Sequence, residues 1–207
     1  MNNNLNSVLM GERKITPSKI ICIGRNYVEH IHELNNEIPD DMVVFIKPNS
    51  AISNDLYSVK QEPLHYEGEL CLLIQHSQIA AIGFGLDITK RKLQSQLKAK
   101  GLPWERAKAF DGSAVFSPFV EIAELDNSFS LQLDINGKNI QSGNISLMMY
   151  KPDEIIRQLQ TFITLNDGDI IMTGTPQGVG IIQSGDTFHG KILHHDKVIT
   201  DAEWKAK

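Results

Sequence analysis

The chain has 207 residues, of which 41% are hydrophobic and 22% charged, the composition of an ordinary globular protein long enough to bury a sizeable core. A formal net charge of -5 gives no global basic field to attract nucleic acid or an anionic membrane. No apolar stretch approaches the roughly 20 residues that a membrane span needs, and the start, MNNNLNSVLMGERK, lacks the basic-then-apolar pattern of a secretory signal. These features predict a cytoplasmic protein with no nucleic-acid or membrane partner. Cys22 and Cys71 both sit in apolar runs and read as buried thiols rather than a disulfide.

Residues 1–14 are polar and aperiodic, so residues 1–18 read as an N-terminal extension and residues 19–207 as a single domain. Lys19 to Gly24 predicts a short strand. Residues 25–34 are weakly helical and place His30 and Glu33 at i, i+3. A histidine beside a carboxylate has its tautomer fixed and its basicity raised, as a general base for water requires. The alternative is a surface histidine in a polar loop. Met42 to Ile46 predicts another strand, stopped by Lys47-Pro48.

The stretch from His65 to Asp87 carries the strongest signal. Leu70 to Ile74 and Ile79 to Leu86 are two apolar runs of strand length, the first opening with Glu67-Gly68-Glu69 and the second closing with Asp87. Side chains alternate along a strand, so Glu67 and Glu69 point the same way. Antiparallel pairing would bring Asp87 beside them. Three converging carboxylates repel unless a cation sits between them, and an all-oxygen donor set suits Mg²⁺, Mn²⁺ or Ca²⁺ rather than Zn²⁺. The alternative is a solvated acidic strand face.

After Asp87 the period changes. Leu93 and Leu97 mark a short helix closed by Gly101 and Pro103, with Arg91 and Gln94 on one face. Arg91 would then emerge beside the carboxylates, where its planar fork suits a substrate carboxylate. A basic solvated helix face explains Lys98 and Lys100. Asn136-Gly137 is a hairpin turn. Residues 152–163 predict an amphipathic helix with Pro152 in its first turn and a stripe of Ile155, Ile156, Leu159, Phe162 and Ile163. Residues 173–180, TGTPQGVG, form a Gly-rich loop without the Gly-Lys-Ser/Thr ending of a phosphate loop. His189, His194 and His195 fall in a final hairpin-like region and receive no role.

Taken in order, Ile23-Gly24-Arg25-Asn26-Tyr27, His30 and Glu33, Lys47-Pro48, Tyr66-Glu67-Gly68-Glu69-Leu70, Gly85-Leu86-Asp87-Ile88-Thr89, Lys108-Ala109-Phe110-Asp111 and the Thr173 to Gly180 loop resemble the fumarylacetoacetate hydrolase family. The resemblance runs from about Lys19 to Gly190 and is nearest to the short members that hydrolyse acylpyruvates or decarboxylate oxaloacetate. It implies a mostly β fold with some α (α+β), a roll of mixed sheets with short helices, as a homodimer. It implies Glu67, Glu69 and Asp87 as ligands of Mg²⁺ or Mn²⁺, with Ca²⁺ as a substitute in crystals. His30 and Glu33 match the water-activating pair, Lys108 the lysine near the metal, and Arg91, Gln94 and Thr175 the positions that hold substrate. One departure is Lys92, where this branch often carries an acid.

The implied activity is metal-dependent hydrolysis of a carbon–carbon bond in an acylpyruvate-type 1,3-dioxo acid, giving pyruvate and a carboxylic acid. Oxaloacetate decarboxylation or isomerisation of a dioxo acid in the same site are alternatives. A non-catalytic, metal-stabilised binding protein is the alternative of another class.

Overall fold

The computed structural model describes residues 5–27 and 41–207, within which fifteen strands and three short α-helices form. The chain opens with a hairpin, β1 (Val8–Met10) and β2 (Arg13–Ile15), then runs through β3 (Lys19–Gly24) and β4 (Val43–Pro48). A short β5 (His65–Tyr66) leads into the hairpin of β6 (Gly68–Gln75) and β7 (Gln78–Asp87). Helices α1 (Arg91–Ala99) and α2 (Glu105–Lys108) follow, then β8 (Ala114–Phe116) and β9 (Val120–Glu121). A third hairpin, β10 (Phe129–Ile135) and β11 (Lys138–Asn144), turns at Asn136 and Gly137, whose φ angles of 52° and 77° are those of a tight primed turn. After α3 (Pro152–Leu159) come β12 (Ile170–Met172), β13 (Gly180–Ile181), β14 (Thr187–His194) and β15 (Lys197–Lys205).

Two sheets carry the fold. The larger has seven strands in the order β4-β3-β12-β6-β7-β8, with β9 also on β7. It is mixed, because β12 runs parallel to β3 but antiparallel to β6. The smaller is antiparallel, in the order β11-β10-β14-β15.

The apolar runs of β6 and β7 are continuous because the larger sheet is covered on both faces. On one face Leu70, Leu72, Phe84 and Leu86 pack with Leu131, Leu133, Phe188 and Trp204 of the smaller sheet. Burying each large side chain there contributes about 1.5–3 kcal/mol. The sheets approach closely at Gly190, where a Cβ would come within 2.1 Å of the Phe84 ring. On the other face Cys71, Leu73 and Met172 pack against Phe119, Val8 and Met10, so the segment read as a polar extension contributes to the core through its hairpin. Cys22 and Cys71 are both buried and neither is in a disulfide.

Helix α3 is shorter than its apolar stripe predicts. It ends at Leu159, and Phe162, expected on the buried face, is 64% exposed because the chain has left the helical path before reaching it. Among the described residues no helix is long and apolar enough to cross a membrane.

Candidate active site

Strand direction decides where the acids meet. β12 and β3 end where antiparallel β6 begins, and β7 ends beside the start of β6. The Asp87 N–H donates to the Glu67 carbonyl at 2.8 Å, completing the hairpin at its open end. Glu67 and Glu69 alternate onto one side, and Asp87 joins them. Ligand oxygens of the three carboxylates lie within 4.8 Å of one another, and all three residues are buried.

Buried carboxylates this close demand positive partners. The Lys108 ammonium, brought in by α2, donates to Glu67 Oε2 at 2.9 Å, Asp87 Oδ2 at 2.7 Å and Thr89 Oγ1 at 2.6 Å. Burial pulls the Lys108 pKa down, but Asp87 and Glu67 outweigh it and hold it above the ordinary lysine value. Arg91, the first residue of α1, pairs with Glu67 Oε1, and its other nitrogen donates to Gln94 Oε1 at 3.0 Å. Lys47 has no exposure; its ammonium donates to the Lys108 carbonyl and stands 2.9 Å from Asp87 Oδ1. That approach is an ion pair outside hydrogen-bonding directions, so Asp87 Oδ1 stays buried without a donor. Burial, then the charges of Asp87 and Glu67, push the Glu69 carboxyl well above the usual range.

The Gly-rich loop closes the site from β12. The Gly174 N–H donates to Glu69 Oε2 at 2.7 Å, and the Thr173 hydroxyl ties back to the Leu70 carbonyl at 2.8 Å. Gly174 holds a φ of 99°, and a Cβ there would meet Asn26 at 2.8 Å, so only glycine presents this amide to the acid without strain. Buried Gln141 of β11 clamps the loop. It accepts from the Gly68 N–H at 2.9 Å and donates to Thr175 Oγ1 and the Pro176 carbonyl, each at 2.9 Å.

Glu67, Glu69, Asp87, Arg91, Gln94, Lys108 and Thr175 thus line one cleft, together with Arg25, Phe45, Trp104 and Lys98. Lys98, read from the sequence as part of a solvated face, turns inward to this cleft; Lys100, two residues on, is exposed. His30 and Glu33 lie outside the described residues. Sequence reasoning gave no role to Lys47, Thr89 or Gln141. Lys47 left a usable trace, a lysine inside an apolar strand directly before a proline, whereas Gln141 in a polar strand left none.

The cluster fits a divalent cation. Its donors are carboxylate oxygens only, and Asp87 Oδ1 is an orphaned buried acceptor beside Glu67 and Glu69. Those three residues would hold the ion.

The sequence model of the fumarylacetoacetate (FAA) hydrolase C-terminal domain matches residues 19–201. The chain belongs to the fumarylacetoacetate hydrolase family. Within reach of this family, it is 39% identical over 199 residues to the oxaloacetate tautomerase YcgM of Escherichia coli, covering 85% of this chain and 90% of that protein. It is 36% identical to the mitochondrial oxaloacetate tautomerase oaa1 of Schizosaccharomyces pombe, covering 84% of this chain and 88% of that one. Among solved structures, fumarylpyruvate hydrolase from Pseudomonas aeruginosa, in complex with Mn²⁺ and pyruvate, superposes with a TM-score of 0.88 at 25% identity, covering 100% of this chain and 97% of that one. Yeast ynq8, a fumarylacetoacetate hydrolase family protein, superposes with a TM-score of 0.77 at 32% identity, covering 92% and 93% of the two chains. The mixed-sheet, mostly β architecture is that of the family, as the sequence resemblance implies.

Proposed function

We propose that this chain is a divalent-metal-dependent enzyme of the family whose substrate is oxaloacetate and whose reaction is keto–enol tautomerisation. The observation that carries the reading is the Lys108 ammonium set against Glu67 and Asp87 in a cleft also lined by Arg91, Gln94 and Thr175. A positive donor beside a cation-binding carboxylate trio is suited to an oxygen that gains negative charge as a proton leaves the neighbouring carbon. Preference for tautomerisation over bond cleavage comes from the two relatives named for oxaloacetate tautomerisation, at 39% and 36% identity.

A bound Mg²⁺ or Mn²⁺ would supply Lewis acidity toward the keto oxygen. Arg91 would engage a substrate carboxylate through its fork, oriented by its bond to Gln94. Thr175, held by Gln141, would offer its hydroxyl at the loop side. Lys108 would donate to the enol oxygen. His30, which Glu33 would orient, would take the proton from the carbon between the keto group and the distal carboxylate and return it to that carbon in the reverse direction. A homodimer in the cytoplasm belongs to the same reading.

Hydrolysis of an acylpyruvate is the second reading, favoured by the superposition on fumarylpyruvate hydrolase. It needs His30 to deprotonate water rather than carbon. Oxaloacetate decarboxylation would use the same stabilised enol oxygen. The test follows enol absorbance of oxaloacetate beside cleavage of acetylpyruvate and fumarylpyruvate, with Mg²⁺, Mn²⁺ or EDTA. Tautomerisation faster than either cleavage supports the first reading. Faster acylpyruvate cleavage gives the second the lead, and no turnover of any substrate with either cation leaves a binding protein.

A further inference from the structure

The smaller sheet gathers a different donor set at the turn between β14 and β15, outside the cleft. His194 ends β14 directly opposite Phe129 of β10, and the two rings stack with centroids 4.1 Å apart and planes 8° from parallel. His195 and Asp196 make the turn with φ of 48° and 60°. Both are non-glycine residues in the left-handed region, a conformation that costs about 1–2 kcal/mol for an ordinary side chain. Consecutive side chains on a regular strand face opposite sides. Here the turn swings His195 back over its neighbour, and the two imidazoles lie 4.4 Å apart.

Asp126, just before β10, supplies the third group. The Ser128 N–H donates to its Oδ1 at 2.8 Å and the Ser128 hydroxyl donates to the same oxygen, which fixes the carboxylate's orientation. The His195 N–H reaches the Ser128 carbonyl at 3.3 Å and joins the turn to this segment. Ligand atoms of Asp126, His194 and His195 all lie within 4.8 Å of one another.

We propose that Asp126, His194 and His195 form a second metal site, for a transition ion such as Zn²⁺, that staples the β14–β15 turn to the segment entering β10. Two imidazoles and one carboxylate, with water in the fourth position, form an open tetrahedral zinc set. Imidazole suits Zn²⁺, Ni²⁺ and Cu²⁺, whereas Mg²⁺ takes oxygen, so the two sites sort cations by chemistry. Metal–ligand bonds of 2.0–2.2 Å put tetrahedral ligands roughly 3.3 Å apart. Asp126 and His195 are exposed, so side-chain rotation on a backbone held by the sheet closes that gap.

The test uses the full chain in excess Mg²⁺, which on the proposed function would occupy the carboxylate cluster, and titrates Zn²⁺ by calorimetry and by NMR of ¹⁵N-labelled histidines. One additional Zn²⁺ per chain should bind, shift the ring nitrogens of His194 and His195 and raise the melting temperature. His195→Asn retains a residue that tolerates positive φ and should weaken Zn²⁺ binding by more than roughly 100-fold, beyond what the loss of an outer-sphere contact costs. Asp126→Asn keeps the Ser128 contacts and should weaken it by at least roughly 10-fold. Both variants should keep the wild-type melting temperature in Mg²⁺ alone, which separates loss of the site from loss of the fold. An unchanged Zn²⁺ isotherm in His195→Asn, or histidine resonances that do not move in wild type, overturns the proposal.

Discussion

Lys47 and Asp87 face each other out of contact with water: the ammonium lies 2.9 Å from Asp87 Oδ1, with side-chain exposures of 0% and 1%. Removing one partner of a buried pair leaves an uncompensated charge, so Lys47→Met should destabilise the fold by about 3 kcal/mol. Mg²⁺ should recover more stability in this variant than in wild type, because it replaces the missing positive charge. Urea unfolding with and without Mg²⁺ measures both. An unchanged midpoint would mean that Lys108 alone neutralises Asp87.

Cation binding should be visible without turnover. At 100 times its dissociation constant, an ion that binds only the folded chain adds about 2.7 kcal/mol of stability. Mg²⁺ or Mn²⁺ should therefore raise the melting temperature, and EDTA should reverse the rise. Glu67→Gln and Asp87→Asn should abolish the response and the activity together. A melting temperature that ignores both cations would remove the metal from the proposed function.

Arg91 bonds to both Glu67 and Gln94, which sets its guanidinium plane at the cleft. Arg91→Lys keeps the charge and loses the fork. KM for oxaloacetate, a dicarboxylate, should rise by about 10-fold, equivalent to about 1.4 kcal/mol, and KM for acetylpyruvate should rise less. Equal increases would make Arg91 a support for Glu67 and nothing more.

Gln141→Leu should separate loop order from cluster chemistry. It would strand the buried Gly68 N–H and release Thr175, at a cost of about 1–3 kcal/mol in stability. The melting response to Mg²⁺ should persist while kcat falls. Wild-type kcat in a destabilised protein would show that the Thr175 hydroxyl does not need its anchor.

Away from the site, Asp134 on β10 gives a pH signature. The hydrogen bond from Lys191 holds its carboxyl below the ordinary value of 3.8. A depressed folded pKa stabilises above the unfolded value and ceases to do so as pH falls through the folded one. The stability advantage of wild type over Asp134→Asn should thus be full above pH 3.8 and shrink below it. An advantage constant down to strong acid would assign it to packing.

Local patterns carried much of this structure. The two apolar runs of β6 and β7, the Asn136-Gly137 turn and the Glu-Gly-Glu alternation are short-range signals, and short-range geometry places Glu67, Glu69 and Asp87 together. Lys98 defeated the same reasoning, because helical periodicity says which residues share a face but not what that face meets. Phe162 did so for the opposite reason, since its spacing continued a helix that had stopped at Leu159. Lys47 and Gln141 reach the site through side-chain contacts between segments far apart in sequence, Gln141 from the smaller sheet, and such contacts leave no periodic trace. Asp126 and His194 meet in the same way, across the β10–β14 ladder.

The central strand β12 is only three residues long, yet among the described residues it is what joins β3 to β6 in the larger sheet. Its partners, around Cys22 and Cys71, leave the ribosome well before Met172 does. Until then β3 and β6 carry open edges, and β6 displays the run Leu70 to Ile74 with no neighbour on that side. During synthesis those open edges leave the nascent chain vulnerable to edge-to-edge pairing with other chains. Truncation before residue 170 should produce insoluble protein rather than a smaller folded domain.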